Sequence, residues 1–145
     1  MGASTVLMAS ELELPGTVKG VIADCPYSSP LEIIMKVGKN MRIPRCILRP
    51  LVKISARMFG RFDIEEATPL DAVKHTDLPI LIIHGTADTF VPCDMSRELA
   101  EANPDIRLEL FPGADHGMSY MLDRERYIRV VTEFTSEILE DGRLS

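Results

Sequence analysis

Apolar and polar positions along the chain fall into blocks of two periods. Small and apolar residues from Ala3 to about Ser10 predict a buried helix, which Pro15-Gly16 ends. Val18 to Ala23 predicts a short buried strand, and Pro79-Ile80-Leu81-Ile82-Ile83 a second, bounded by Pro79 and Gly85. Ile106 to Phe111 alternates as a third strand. Between the last two, Asp94 to Ala102 is rich in helix formers and stops at Asn103-Pro104. Tyr127, Ile128, Val130, Val131, Phe134, Ile138 and Leu139 recur near helical spacing, which predicts a C-terminal helix over Asp123 to Leu139 packed on the sheet. Strands alternating with helices predict an α/β fold with a short parallel sheet of about three strands and flanking helices.

The interval from Pro26 to Val73 breaks this rhythm. It is too long for a plain crossover and predicts a helical, cap-like insertion over 26–73 in an otherwise single partial domain spanning 1–145. Its cations recur every three or four residues, with Ile33, Ile34, Val37, Met41, Ile47, Leu48, Leu51, Val52 and Ile54 largely between them. That is an amphipathic helical pattern, expected to break near Pro44 and Pro50.

Charge sharpens the contrast between the insertion and the rest. Eight of the sixteen cations lie between Ile33 and Phe62, where there is no acid, so the remainder carries eight cations against twenty-two acids. The net charge of -6 argues against nucleic acid as a partner. The cationic stripe is read as the solvated face of a helix on an acidic body, in preference to a membrane surface or a site for anionic acyl groups. Cys25, Cys46 and Cys93 are odd in number and widely spaced, with neither a disulfide framework nor a zinc pattern, which fits a reducing cytoplasm.

Chemistry concentrates at strand ends. The second strand runs into His84-Gly85-Thr86-Ala87-Asp88-Thr89-Phe90-Val91-Pro92, and the third into Phe111-Pro112-Gly113-Ala114-Asp115-His116-Gly117. An acid and a histidine thus follow neighbouring strands at their carboxyl ends, where open α/β sheets place their sites. The opening Met1-Gly2-Ala3-Ser4 reads as the last letters of a G-x-S-x-G nucleophile elbow, the turn that lifts a serine hydroxyl above the sheet. Elbow, acid and histidine in this order resemble the α/β-hydrolase family, close to its serine esterases and acyl-peptidases, and the likeness covers nearly the whole chain as the family's C-terminal half.

That resemblance implies Asp88 as the triad acid, His116 as the general base and the backbone N–H of Met1 as an oxyanion-hole donor. The nucleophilic serine would stand just before Met1, so the chain alone is expected to be inactive, its parent cleaving an ester, thioester or amide of a small acyl substrate through an acyl-enzyme. No cofactor or metal is implied. Asp24, at the end of the first strand, is the rival acid, because some members of the family place it there. Ser4 lies inside the helix after the elbow, without the strained turn a nucleophile needs, and Cys25 reads as a small buried residue. His84 reads as a packed histidine, His75 as solvated, and Asp115 as too close along the chain to meet the His116 ring. His84, Asp88 and His116 lack the tight His spacing of a metal site.

A different class of function stays open: a half-domain that works by binding or self-association, in which Asp88 and His116 are relics. With the nucleophile-bearing strand absent, Val18 to Ala23 would be an unpaired apolar edge, and edges of this kind pair with other chains. A homodimer through that edge is therefore expected.

Overall fold

The computed structural model describes residues 1–144. Three parallel strands, β1 (Val21–Asp24), β2 (Ile80–Gly85) and β3 (Arg107–Phe111), form one sheet in the order β1-β2-β3. Registers are continuous: Val21 to Asp24 pair with Ile80 to Ile83, and Leu81 to Gly85 with Arg107 to Phe111. The expected three-stranded parallel sheet with flanking helices is what forms. The first strand begins three residues later than its apolar run suggests.

Burial on β2 is complete across all six residues. Successive side chains of a strand leave opposite faces, so Ile80 and Ile82 enter one core and Leu81 and Ile83 the other. The first core receives Leu7 from α1 (Gly2–Ala9), Val73 just after α4 (Pro69–Ala72), and Leu99 from α5 (Cys93–Ala102). The second is closed by Val130 and Phe134 of α7 (Arg124–Leu144) against Phe111 and Ala114. A buried aliphatic side chain of this size contributes about 2 kcal/mol relative to exposure. The central strand, covered on both faces, is therefore the most heavily stabilised element.

The insertion is helical in two main pieces, α2 (Pro30–Asn40) and α3 (Arg45–Ser55), followed by a wider helical turn over 56–60. Ser29 caps α2, its hydroxyl accepting from the Glu32 amide at 3.4 Å with Pro30 in the first turn; Thr68 and Pro69 start α4 in the same way, with Asp71 N at 3.1 Å. Both are sequence signals of a helix start. The break near Pro44 is present, with Pro44 itself capping α3. Pro50, in contrast, lies inside α3 instead of ending it. Its missing N–H leaves the Cys46 carbonyl unpaired, but Cys46 and Pro50 are both exposed and water can take that acceptor. Leu31, Met35 and Ile64 form a small core of the insertion, packed by Leu48, Val52 and Ala56. Gly38 is where α3 comes closest, since a β-carbon there would stand 2.0 Å from Leu48 Cδ2.

α6 (Ser119–Leu122) is a single turn that leads into α7. Between the ends of β2 and β3 the backbones nearly touch: a β-carbon on Gly85 would lie 2.3 Å from the Ala114 carbonyl oxygen. That carbonyl is held in place because it accepts from Ala87 N at 3.0 Å. Gly85→Ala should therefore lower stability by about 2 kcal/mol through overpacking that the backbone cannot relieve. Urea unfolding followed by circular dichroism measures this; an unchanged midpoint would refute the close approach.

Candidate functional site

The loops after β2 and β3 are zipped together before they carry any chemistry. Thr86 N donates to Phe111 O at 3.0 Å, and Gly113 N donates to the Thr86 hydroxyl at 2.9 Å. Farther out, the Asp115 carboxylate accepts from Thr89 N at 2.9 Å and from the Thr89 hydroxyl at 3.1 Å, and it also accepts from His116 N at 2.8 Å. This bridge sets the two loops at one height. Asp88 and His116 consequently face each other across the gap, with Nδ1 of His116 2.7 Å from Oδ2 of Asp88.

Asp88 has no solvent-accessible side chain, so its charge has to be met by donors. Oδ1 accepts from Phe90 N at 2.9 Å and Val91 N at 2.8 Å. Oδ2 lies near the ring nitrogens of both His116 and His84, the latter at 3.2 Å. Burial is the largest single influence and pushes the carboxyl up, but His116, Val91 N and Phe90 N together outweigh it and hold Asp88 below the usual carboxylate range. An ionised Asp88 fixes the His116 proton on Nδ1 and leaves the lone pair of Nε2 free, a tautomer assigned from the hydrogen-bond network. The ring is 40% exposed and meets Phe90 edge-on at 5.2 Å.

The other residues singled out from sequence go elsewhere. His84 is wholly buried, with Nδ1 2.5 Å from the Ser96 hydroxyl and Nε2 3.1 Å from the Val91 carbonyl. It therefore braces the loop that carries Asp88. Asp24 is engaged by the Tyr127 hydroxyl, which donates to Oδ2 at 3.0 Å, and by the Cys25 thiol at 3.1 Å. Burial first, and Asp24 second, push Tyr127 up to about 12. Ser4 is buried in α1, where its oxygen accepts from Tyr27 N at 2.9 Å. His75 is exposed and bonds the Asp71 carbonyl.

Cys25 turns the chain out of β1 with φ at +52°, an uncommon conformation for a residue with a side chain. Its sulfur accepts from Gly117 N at 3.4 Å, and Cys25 Sγ, an Asp88 oxygen and a His116 nitrogen lie within 4.8 Å of one another. Burial pushes the thiol up to about 12, so it is neither a ready nucleophile nor a ready metal ligand. These three groups could close on a cation only by giving up the Asp88–His116 bond. Among the described residues no hydroxyl or thiol hydrogen-bonds the free nitrogen of His116.

A cleft of about 240 Å³ opens beside His116, lined by Met1, Tyr27, Ile33, Ile34 and Val37, with Phe90 and Val91. Met1 caps the N-terminus of α1 on this cleft. Lys36, from α2, donates to the carbonyls of Thr89 and Phe90, both at 2.8 Å, and so ties the insertion to the loop holding Asp88. Sequence reasoning does not single out Thr89 or Lys36, and it weighs Asp115 only as a partner of the His116 ring, not as the bridge between the two loops. Thr89 and Asp115 could have been suspected, as polar neighbours of Asp88 and His116; Lys36 gives no sequence signal, because its partners are backbone carbonyls.

The family model for the Dienelactone hydrolase family matches residues 40–134. The chain is 26% identical over 136 residues to an uncharacterized protein, YqkD, of Bacillus subtilis strain 168, covering 92% of this chain and 45% of that one. It thus spans less than half the length of this curated relative. Pyrococcus horikoshii acylaminoacyl peptidase superposes with a TM-score of 0.64 at 18% identity, over 93% of this chain and 22% of the peptidase. An esterase of Pyrococcus furiosus superposes with a TM-score of 0.60 at 20% identity, over 90% of this chain and 48% of the esterase. These structural likenesses identify the architecture as part of the α/β-hydrolase fold.

Two measurements follow from the electrostatics. Because the folded state holds the Asp88 carboxyl below its unfolded value, the stability it contributes is fully present above about pH 4 and is lost as pH falls toward the folded value. Asp88→Asn should therefore cost about 2 kcal/mol at pH 7, and the gap should narrow on acidification; a gap that stays constant down to pH 3 would contradict it. The second concerns thiols: with a disulfide reagent at pH 8, the exposed Cys46 should react first and Cys25 only on unfolding. Fast labelling of native Cys25 would overturn the neutral-thiol assignment.

Proposed function

The chain belongs to the dienelactone hydrolase family, and we propose that it supplies the acid and the base of a nucleophilic hydrolase that cleaves an ester, thioester or amide through an acyl-enzyme. The single observation that carries this reading is the 2.7 Å contact of His116 Nδ1 with an otherwise fully satisfied Asp88, beside an apolar cleft. In the proposed reaction His116 Nε2 takes the proton of a serine hydroxyl as its oxygen bonds to the substrate carbonyl carbon. The imidazolium, stabilised by Asp88, then gives that proton to the leaving group as the carbonyl re-forms. Water, deprotonated by the same nitrogen, releases the acid.

In this reading the serine precedes Met1 in a longer protein, and the Met1 amide stabilises the oxyanion. Its place beside the cleft, at the N-terminus of α1, supports that role, since a helix N-terminus favours developing negative charge. The apolar lining favours a substrate with an apolar acyl group. A second reading, a non-catalytic self-associating protein, is favoured by one feature: β1 ends the sheet, with no strand along its outer edge among the described residues. Pairing of two copies along that edge would satisfy it.

The purified 145-residue chain should show no turnover of a p-nitrophenyl butyrate ester above a buffer blank. A version extended upstream through a Gly-x-Ser turn should hydrolyse it, and His116→Ala in that version should remove about 10³-fold or more of the rate. Activity of the short chain that survives Ser4→Ala and Cys25→Ala would sink the external-serine assignment; a rate indifferent to His116→Ala would sink the base. Light scattering of the short chain separates the readings, because a stable dimer dispersed by Ile22→Lys on β1 would favour self-association.

A further inference from the structure

Lys36 has uncommon partners for a cation on a helix. The one acid of α2, Glu32, is engaged by Arg45, and Lys36 joins no ion pair among the described residues. Its ammonium instead donates to the carbonyls of Thr89 and Phe90, both at 2.8 Å, and its side chain is partly buried. An ammonium is strongly hydrated, so two neutral carbonyls alone are a poor exchange for water.

The far side of the same peptide groups supplies what is missing. A trans peptide sets its C=O and its N–H on opposite sides. The Thr89 carbonyl shares a peptide group with Phe90 N, and the Phe90 carbonyl shares one with Val91 N. Those two amides are the donors to Asp88 Oδ1, at 2.9 Å and 2.8 Å. Two successive peptide groups thus stand between an ammonium and a carboxylate, each with the negative end of its dipole toward the cation and the positive end toward the anion. The path from ammonium to carbonyl to amide to carboxylate runs twice, and each hydrogen bond in it strengthens the next. Asp88 has no other fixed positive charge to draw on. Its ion-pair partners among the described residues are His84 and His116, which carry charge only when protonated. Cys25 after β1, Cys93 at the start of α5 and Asp115 beside His116 complete the titratable groups around it, and none of them is a cation.

We propose that Lys36 is a positioning residue for Asp88, acting through the Thr89–Phe90 and Phe90–Val91 peptide groups to lend the buried carboxylate a positive charge that never touches it. The ionised acid that holds the His116 ring then depends on a side chain of the insertion. The link from Lys36 to Asp88 stands by itself; its effect on a reaction rate rests on the acyl-enzyme reading above.

A double-mutant cycle of Lys36→Met with Asp88→Asn, read by urea unfolding of the 145-residue chain, tests it. At pH 7 the two sites should couple by about tenfold in the unfolding constant, although their side chains do not meet. Because the folded state holds the Asp88 carboxyl below its unfolded value, the coupling should be present above about pH 4 and fade as pH falls toward about 3. Lys36→Arg keeps the charge and should keep most of the coupling. Lys39→Met removes an exposed cation of the same helix and should couple to Asp88→Asn by less than about twofold. Should a variant be too unstable for the cycle, hydrogen exchange of the Phe90 and Val91 amides replaces it, about tenfold faster in Lys36→Met and within about twofold of the parent in Lys36→Arg. In the upstream-extended protein Lys36→Met should lower kcat about tenfold with KM little changed. An additive cycle, a coupling unchanged down to pH 3, an equal coupling from Lys39→Met, or amide exchange indifferent to Lys36→Met would overturn the proposal. A rate lost with His116→Ala but untouched by Lys36→Met would overturn it too, whereas a rate indifferent to both strikes the acyl-enzyme reading alone, since the cycle needs no serine.

Discussion

A carboxylate withdrawn from water has to gather donors, and Asp88 gathers them from two directions: two amides of its own loop and the ring of His116 across the gap, with the loop itself braced from beneath by His84. Each of these groups fixes a different part of the molecule. The amides of Phe90 and Val91 curl the loop after β2 into a tight turn, His84 locks the end of that strand through Ser96, and His116 draws in the loop after β3. Removing the charge would loosen both loops at once. The geometry of the site and the local order of the fold are in this sense one balance, in which desolvation of a single anion is offset by its neighbours.

Much of this could be read along the chain, for physical reasons that differ by element. The strand β2 is legible because both of its faces are buried, which turns its composition into an unbroken apolar run. β1 is less so: the run from Val18 extends past the segment that pairs, and only tertiary register decides that pairing starts at Val21 with Ile80. Pro50 misleads because local propensity disfavours an interior proline, whereas here Leu48 and Val52 on either side of it are held by packing on the core of the insertion. For the site, Asp88 and His116 are legible from their loops. Asp24 could not be excluded from sequence, since its diversion to Tyr127 is a contact 103 residues long.

The insertion shows the limit of amphipathic patterns. Alternating cations and apolar residues identify a helix correctly but do not say how many of its faces are used, and α3 has one apolar row turned inward and another exposed. Only the packing of Leu48 over Gly38 decides which side turns inward. Once that is set, the remaining apolar line is committed to the outside.

Lys36 gives the arrangement a mechanical character. Its ammonium holds two carbonyls of the same short segment whose amides hold Asp88, and the Phe90 ring of that segment rests against His116. Lifting the insertion to admit or release a bulky molecule would break those two bonds and slacken the peptide units that cradle the acid. In an enzyme built on this frame, access and competence would trade against each other. Adaptation to larger substrates would then have to proceed by reshaping Ile33, Ile34 and Val37, because loosening the latch would blunt the base along with opening the door.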